Sequence, residues 1–221
     1  MPKVFLGVGH GGSDPGAVAN GVKEKDLNLS IALACKDMLE KHGVSVKMSR
    51  TKDENDPIGE EVNECNAYAP DLAVDIHNNA GGGDGGEVFY HHGGGKGKTL
   101  AENILAEIVK VGQNSRGIKT RVNSQGKDYY AFIRNTSCPA VIVECAFVDN
   151  ASDLQILATE SQRKTMGEAI AKGILKTLGK EIQSESGHWK VQVGAYLYRE
   201  NAEAMHRKLK AVGFDAFIVK E

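Results

Sequence analysis

The sequence predicts an α/β domain built on a mainly parallel sheet with helices on both faces, followed by a small β-α-β unit. Short apolar runs alternate along the chain with segments whose apolar residues recur at helical spacing. The run Ala140 to Cys145 (AVIVEC) is almost continuously apolar, as in a strand that is buried on both faces. With 41% hydrophobic and 25% charged residues among 221, the composition is that of an ordinary globular protein.

Each element of the first domain has its own signal. Lys3 to Val8 is short and apolar, and it runs into a loop of turn-forming residues over 9–16. The first helix carries Leu27 and Ile31 at helical spacing and ends at a capping glycine, Gly43. The predicted elements, in order, are strands at Lys3 to Val8, Val44 to Met48, Asp71 to His77, Glu87 to Tyr90 and Ala140 to Cys145, and helices at Lys25 to Lys41, Pro57 to Tyr68, Thr99 to Val111 and, as one or two closing helices, Ser152 to Leu178.

A polar stretch at 179–188 predicts a linker between a domain at 1–178 and a unit at 189–221. The pattern of this unit predicts a strand at Trp189 to Val193, a helix at Glu200 to Val212 and a strand at Ala216 to Val219. Because a chain below about 40 residues rarely folds alone, this unit must dock on the first domain or on another copy of itself.

Charge and hydropathy exclude two function classes. The net charge is −2, from 27 basic and 29 acidic residues. The sequence therefore lacks the excess of basic residues that is typical of nucleic-acid-binding proteins. No apolar run approaches the length of a membrane span. The N-terminal residues lack the apolar core of a secretion signal, so we expect synthesis in the cytoplasm and action outside only after lysis or release by another protein.

Three polar residues mark the ends of three predicted strands: His10 follows the first, His77 ends the third, and Glu144 ends the last. Parallel strands bring such residues to one rim of a sheet, and Glu24, just before the first helix, can turn toward it. Two imidazoles and one carboxylate are ligands of many catalytic zinc sites, which leave one position for water and lower its pKa to about 7. Glu144 suits the role of proton acceptor and donor.

Each of these signals alone has a commoner structural explanation. A histidine at a strand end is more often structural than a ligand, and Glu24 also fits a solvated carboxylate at a helix N-terminus. Glu144 is harder to explain structurally, because an unpaired glutamate is rarely buried.

Five motifs in order resemble the amidase-3 family, the N-acetylmuramoyl-L-alanine amidases of bacteria and phages. The motifs are GHGGSDPGA at 9–17, EKDLN at 24–28, IHNNA at 76–80, PAVIVE at 139–144 and FVDN at 147–150. The resemblance covers residues 1 to about 178. It implies a peptidoglycan hydrolase that cuts the amide between N-acetylmuramic acid and L-alanine, as an endolysin or a sporulation autolysin.

The resemblance also implies site roles. His10, Glu24 and His77 correspond to zinc ligands, and Glu144 corresponds to the catalytic glutamate. Arg134 matches an arginine common at that point in the family, and either contact with the substrate or anchoring of its own loop would explain it equally well.

Asn79, in the motif that follows His77, is a further candidate for substrate contact. Three positions depart from the family pattern: Gly7 where aspartate is frequent, Glu61 where arginine is frequent, and Asp75 where serine is frequent. These departures bear on the hydrogen bonding around the ligands.

The tail resembles one half of a SPOR repeat, a peptidoglycan-binding module. The matching segments are KVQVGAY at 190–196, NAEA at 201–204 and GFDA at 213–216. Since the usual module has two such halves, a symmetric homodimer through 189–221 is one prediction. The alternative is that the half-repeat packs on its own catalytic domain or is partly disordered.

Two other functions are compatible with parts of the sequence. The segment HGGGKGKT at 92–99 nearly matches the phosphate-binding loop G-x-x-x-x-G-K-[ST], although His92 stands where its first glycine should be. A wall-binding protein with an inactive amidase fold is the second alternative, and the presence of all four catalytic positions argues against it.

Overall fold

The computed structural model describes residues 1–182 and 192–220. The chain divides into two compact units, 1–183 and 184–221. From the N-terminus, the first unit contains β1 (Lys3–Val8), β2 (Val18–Ala19), β3 (Val22–Lys23), α1 (Glu24–Lys41), β4 (Ser45–Met48), α2 (Ile58–Tyr68), β5 (Leu72–Asn79), β6 (Gly86–Tyr90), α3 (Lys96–Lys110), β7 (Ser115–Lys119), α4 (Ala131–Asn135), β8 (Ala140–Phe147), α5 (Ala151–Leu157) and α6 (Glu160–Thr177).

Six strands form one sheet in the order β4-β1-β5-β8-β6-β7. The four strands β4, β1, β5 and β8 run parallel, whereas β6 pairs antiparallel with β8 and then parallel with β7. Helices α1, α3 and α6 pack on one face, and α2 and α4 pack on the other. The predicted mainly parallel sheet flanked by helices is confirmed.

The face under α2 and α4 changes character along the strands. Near their amino ends it is apolar, with Phe5 on β1 and Ile142 on β8 in the smaller core. Two residues further along each strand, the same face carries Gly7 on β1, which has no side chain, and the carboxyl group of Glu144 on β8. The carboxyl ends of the strands therefore present a polar surface that the two helices do not fill with apolar side chains.

Two strands are longer than the sequence predicts. β5 continues to Asn79 and β8 to Phe147, because the two strands stay paired beyond His77 and Glu144 through a bulge. The prediction that His77 and Glu144 end their strands is therefore wrong, and both lie inside the sheet.

Three small features were missed: the β2–β3 hairpin, the edge strand β7 and the single-turn helix α4. Elements of two to five residues are too short to show a hydrophobic period, and β7 (SRGIK) carries mostly polar residues at the sheet edge.

In the second unit, helix α7 (Arg199–Ala211) lies within one residue of its predicted bounds, and none of its residues is buried. The predicted strand at Ala216 to Val219 is wrong, since these described residues pair with no other strand of the described chain. Residues 189–191 of its predicted partner lie outside the described residues, and Val193 is not in a strand. Among the helices described, none combines the length and the apolar character that crossing a bilayer requires.

Candidate metal centre and active site

His10, Glu24 and His77 lie together at the carboxyl ends of β1 and β5. His10 follows β1, Glu24 is the first residue of α1, and His77 is on β5. Glu24 Oε2 is 3.2 Å from Nε2 of His10, and Glu24 Oε1 is 3.0 Å from Nδ1 of His77. The two imidazoles meet edge to face with centroids 5.0 Å apart. The three side chains predicted as ligands therefore converge.

The Glu24 carboxylate is held firmly in this position. Ala17 N–H donates to Oε2 at 2.9 Å, and Asn78 N–H donates to Oε1 at 3.1 Å. Burial alone would raise the pKa of Glu24, but its hydrogen bonds with His10 and His77 outweigh burial and hold the pKa far below its ordinary range. The hydrogen bonds from His10 and His77 therefore favour the carboxylate form of Glu24.

Two aspartates hold the outer nitrogens of the imidazoles. Asp14 Oδ2 is 2.8 Å from Nδ1 of His10, and Asp75 Oδ2 is 3.1 Å from Nε2 of His77. A carboxylate at the outer nitrogen favours the tautomer with its proton there, which leaves the inner nitrogen's lone pair free. Neither aspartate was predicted to have this role, although the spacing indicates it for Asp75, which is two residues from His77 on the same strand face.

The surrounding carboxylates favour a positive charge on the imidazoles of His10 and His77. Burial lowers the pKa of His77, but Asp75 and Glu24 outweigh it and raise the pKa well above 6.5. The pKa of His10 is also raised, chiefly by its hydrogen bond to Glu24. A site that stabilises imidazolium in this way is also suited to a metal cation, which would compete with those protons.

The donor set fits zinc. The ligand atoms of His10, Glu24 and His77 all lie within 4.8 Å of one another. Tetrahedral zinc with bonds near 2.0–2.2 Å requires ligand atoms about 3.4 Å apart, close to the distances found between Glu24 and each imidazole. Two imidazoles and a carboxylate, each imidazole backed by a second carboxylate, form a typical catalytic zinc environment.

A buried arginine fixes the loop that carries His10. The Arg50 side chain donates to the carbonyl oxygens of Val8 (3.0 Å), Gly9 (3.3 Å) and Lys25 (2.8 Å). Because one rigid guanidinium joins the end of β1 to the first turn of α1, His10 and Glu24 are held at a fixed separation.

Two positions near the ligands have room only for glycine. A Cβ on Gly9 would lie 2.2 Å from Cε1 of His77, so the imidazole occupies the space that a side chain would need. A Cβ on Gly7 would lie 2.0 Å from Oε1 of Glu61 and 2.7 Å from Oδ1 of Asp75. The three departures from the family pattern, Gly7, Glu61 and Asp75, are thus in contact with one another beneath His77.

Within that group, Glu61 is almost completely buried. Its Oε1 has no hydrogen-bond partner among the described residues. Burial, followed by the nearby Asp75 charge, raises the pKa of Glu61 well above its ordinary value. Glu61 is therefore favoured as a neutral carboxylic acid, which reduces the negative charge beneath His77.

Glu144 lies beside His77, opposite it in the β5–β8 register. Its Oε2 is buried and finds no hydrogen-bond partner in the described chain. Burial is the largest cause that raises the pKa of Glu144, to about 7; His77 opposes the shift, and Glu24 adds to it. A carboxyl group with this pKa can both accept and release a proton at neutral pH.

Asn79, a predicted substrate contact, is engaged within the protein. Its Nδ2 donates to Glu87 Oε1 at 3.2 Å, and its Oδ1 accepts from Ala80 N–H at 2.8 Å. Glu87 faces Glu144 across the β6–β8 pair and also binds Arg116 and Lys119, whose charges lower its pKa against burial.

Arg134, the other predicted substrate contact, lies in the short helix α4. Its Nη1 donates to the carbonyl oxygens of Asp128 (2.8 Å) and Tyr129 (2.7 Å). The guanidinium therefore anchors the segment before α4, which is the second of the two explanations that the sequence allowed.

The segment that resembles a phosphate-binding loop leads into α3. This helix begins at Lys96, and Lys98 Nζ, the lysine expected to meet phosphate, lies 3.8 Å from Glu102 on the same helix. The segment follows β6, which runs antiparallel to β8, so it starts at the edge of the sheet opposite His10 and His77.

Comparison with known proteins identifies two families. A family model described as N-acetylmuramoyl-L-alanine amidase matches residues 4–176, and a SPOR domain model matches residues 171–221. A sporulation-specific N-acetylmuramoyl-L-alanine amidase of Bacillus subtilis is 35% identical over 223 residues, covering 99% of this chain and 85% of that protein.

Solved structures agree. Cwp6 from Clostridium difficile superposes with a TM-score of 0.79 at 41% identity, over 80% of this chain and 29% of that one. The catalytic domain of CwlV, an amidase from Bacillus (Paenibacillus) polymyxa var. colistinus, superposes with a TM-score of 0.74 at 26% identity, over 82% of this chain and 100% of that one. The chain therefore belongs to the N-acetylmuramoyl-L-alanine amidase family, Amidase_3, and carries a C-terminal SPOR domain.

Proposed function

We propose that this peptidoglycan amidase is zinc-dependent, that His10, Glu24 and His77 hold the ion, and that Glu144 is the acid and base of the reaction. The observation that carries the proposal is the convergence of the three donor groups, with Asp14 and Asp75 at the outer nitrogens of the imidazoles. The bond cleaved joins the lactyl carbonyl of N-acetylmuramic acid to the nitrogen of L-alanine.

Zinc in this position would polarise the scissile carbonyl and lower the pKa of water. The chain's own residues orient the ligands and balance the charge of the ion. Asp14 and Asp75 hold His10 and His77 with their inner nitrogens free, and Glu24 supplies the negative charge that balances the cation. Removal of one such outer carboxylate typically weakens metal binding by 10- to 100-fold.

Glu144 moves the proton. As a carboxylate it accepts a proton from the attacking water, and as a carboxylic acid it then donates that proton to the departing L-alanine nitrogen. A pKa of about 7 suits both steps, because neither form is strongly disfavoured at neutral pH.

The test joins metal analysis to product analysis. Zinc content is measured after dialysis, and purified peptidoglycan is digested and analysed for new N-terminal L-alanine. We expect His77→Ala to lose one zinc per chain together with activity. We expect Glu144→Gln to keep its zinc and lose at least about 100-fold in rate. Glu60→Gln, an exposed position on α2, is the matched control and should behave like the wild type.

Full-rate hydrolysis by Glu144→Gln would refute the assignment of the acid and base. An unchanged zinc content in His77→Ala would refute the ligand set. Loss of zinc without loss of activity would refute zinc dependence itself.

We also propose that the SPOR domain binds peptidoglycan and pairs with a second copy of itself. The described part of this unit exposes Tyr198 (61%), Phe214 (64%) and Phe217 (71%). Exposed aromatic side chains are typical of interaction surfaces, and the unit is too small to bury them alone. Light scattering of the full chain should give a dimer, and Phe217→Ser should shift it to monomer and reduce sedimentation with cell walls. A wild-type monomer would refute the dimer, and unchanged sedimentation of Phe217→Ser would count against wall binding through this surface.

A further inference from the structure

A second cluster of metal-binding side chains lies outside the active site. His91 and His92 follow β6, and Asp128 lies on the hairpin at 121–129. Asp128 Oδ2 is 3.1 Å from Nε2 of His91 and 3.0 Å from Nδ1 of His92. The two imidazoles stack with centroids 4.7 Å apart, and the three ligand atoms lie within 4.8 Å of one another.

The carboxylate is the buried member of this cluster. Asp128 is 4% exposed, and its Oδ1 accepts the backbone N–H of His92 at 2.9 Å. Among the described residues, the basic side chains in contact with the Asp128 carboxylate are those of His91 and His92. Because a buried carboxylate needs a cationic partner and neutral imidazole carries no charge, a cation among these three side chains would balance Asp128.

The hairpin holds Asp128 rigidly. Asn123 N–H donates to the Lys127 carbonyl at 2.8 Å, and Tyr129 N–H donates to the Arg121 carbonyl at 2.8 Å. The Arg121 guanidinium also lies over the Tyr129 ring, 3.8 Å from its centroid. On the other side, Arg134 binds the Asp128 carbonyl oxygen. A ligand fixed in this way loses little freedom on binding a metal.

We propose that His91, His92 and Asp128 form a second site for a divalent transition-metal ion, with Zn²⁺ as the best match, which ties the loop after β6 to the hairpin at 121–129. Two imidazoles and one carboxylate favour Zn²⁺, Ni²⁺ or Cu²⁺ over Mg²⁺ or Ca²⁺, which prefer oxygen ligands alone. Water completes the coordination from a polar cavity of about 580 Å³ lined by Asn123, Gln125 and Lys127 among others.

This site is separate from the catalytic one. Glu87 on β6 lies opposite Glu144 in the backbone register of the β6–β8 pair. Because the two strands are antiparallel, β6 runs from there toward Ala140, the first residue of β8. His91 is four residues beyond Glu87, about 13 Å along the strand direction, at the opposite edge of the sheet. An ion there cannot reach the bond that Glu144 serves, so its role is structural.

Metal binding requires one hydrogen bond to change. Gly93 N–H donates to Nδ1 of His91 at 2.9 Å, which places the proton of a neutral ring on Nε2, the nitrogen that faces Asp128. Ligation through Nε2 moves that proton to Nδ1 and opens the contact with Gly93. The Gly93 amide is therefore a local reporter of binding.

The experiment uses the full chain, loaded with Zn²⁺ and passed through gel filtration before metal analysis. We expect two zinc ions per wild-type chain and one in His92→Gln, whose exposed imidazole should not be needed for folding. His77→Ala should also hold one, and His206→Gln, a histidine in neither cluster, should hold two. In ¹⁵N spectra of the His77→Ala chain, Zn²⁺ should shift the Gly93 amide, and His92→Gln should abolish that shift.

Full retention of both ions by His92→Gln would overturn the proposal, as would loss of the second ion from the wild type during gel filtration. A Gly93 amide that does not respond to Zn²⁺ would overturn it too. If His77→Ala alone fails to lose an ion, the catalytic assignment fails and this site stands.

Discussion

Asp75 and His77 lie two residues apart on the same face of β5, and Asp75 Oδ2 is 3.1 Å from Nε2 of His77. This contact orients the imidazole so that Nδ1 faces Glu24. Because Asp75 stands where the family frequently has serine, the chain places a full negative charge behind one of its proposed ligands. That charge should strengthen the imidazole as a donor to a metal.

Replacing Asp75 should therefore weaken metal binding more than it weakens the fold. We expect Asp75→Asn to reduce zinc affinity at the catalytic site by about 10- to 100-fold. Competition with a chelator of known affinity measures the change, in a His92→Gln background that removes the second proposed ion. Asp37→Asn, at an exposed position on α1, is the control. An affinity within twofold of the wild type would show that Asp75 does not support His77.

Gly9 should be intolerant of even one methyl group. Its Cβ would lie 2.2 Å from His77 Cε1, so Gly9→Ala must displace the imidazole. We expect loss of catalytic zinc and of wall hydrolysis, with a destabilisation of about 1–3 kcal/mol from overpacking. Zinc analysis and thermal unfolding measure both effects. Gly59→Ala, where a Cβ meets nothing within 4 Å in helix α2, should instead be neutral or stabilise slightly.

Glu144 should destabilise the metal-free protein as the pH rises. Its folded-state pKa of about 7 lies above the ordinary value of 4.5, so its contribution to stability is fully present below pH 4.5 and is lost as the pH rises toward 7. In the presence of a chelator, Glu144→Gln and the wild type should have the same free energy of unfolding near pH 4.5. At pH 8 the free energy of unfolding of Glu144→Gln should be higher, by at most about 3 kcal/mol. Urea unfolding at both pH values measures this difference.

The matched control for that comparison is Glu60→Gln on the exposed surface of α2. Its difference from the wild type should not change with pH. If Glu144→Gln shows the same flat difference, the Glu144 carboxyl group is not held in a desolvated site.

Arg134 distinguishes a structural role from a substrate contact. Since its guanidinium binds the carbonyl oxygens of Asp128 and Tyr129, we expect Arg134→Ala to lower the free energy of unfolding by about 1 kcal/mol. The KM for wall fragments should stay within about twofold of the wild type. A large rise in KM with unchanged stability would instead assign Arg134 to the substrate.

Much of the fold was predictable from local pattern. Long buried strands such as β8 and amphipathic helices such as α1 show their period directly in sequence, and the predicted parallel sheet is confirmed. The short elements β7 and α4 carry no such period. The strand predicted at Ala216 to Val219 shows a related limit, because an apolar alternation becomes a strand only where a partner strand supplies hydrogen bonds, and none of the described residues pairs with this segment.

The sequence by itself determined the family, the enzyme class and the candidate ligands His10, Glu24 and His77, because ordered motifs preserve residue type and order along a chain. Only the tertiary structure decided what surrounds them. The position of Glu144 opposite His77 and the desolvation of its carboxyl group both depend on which strands are neighbours in the sheet. The cluster of His91, His92 and Asp128 likewise joins segments 36 residues apart. Hydrogen bonds and desolvation act over a few ångströms in space, and separation along the sequence does not report that distance.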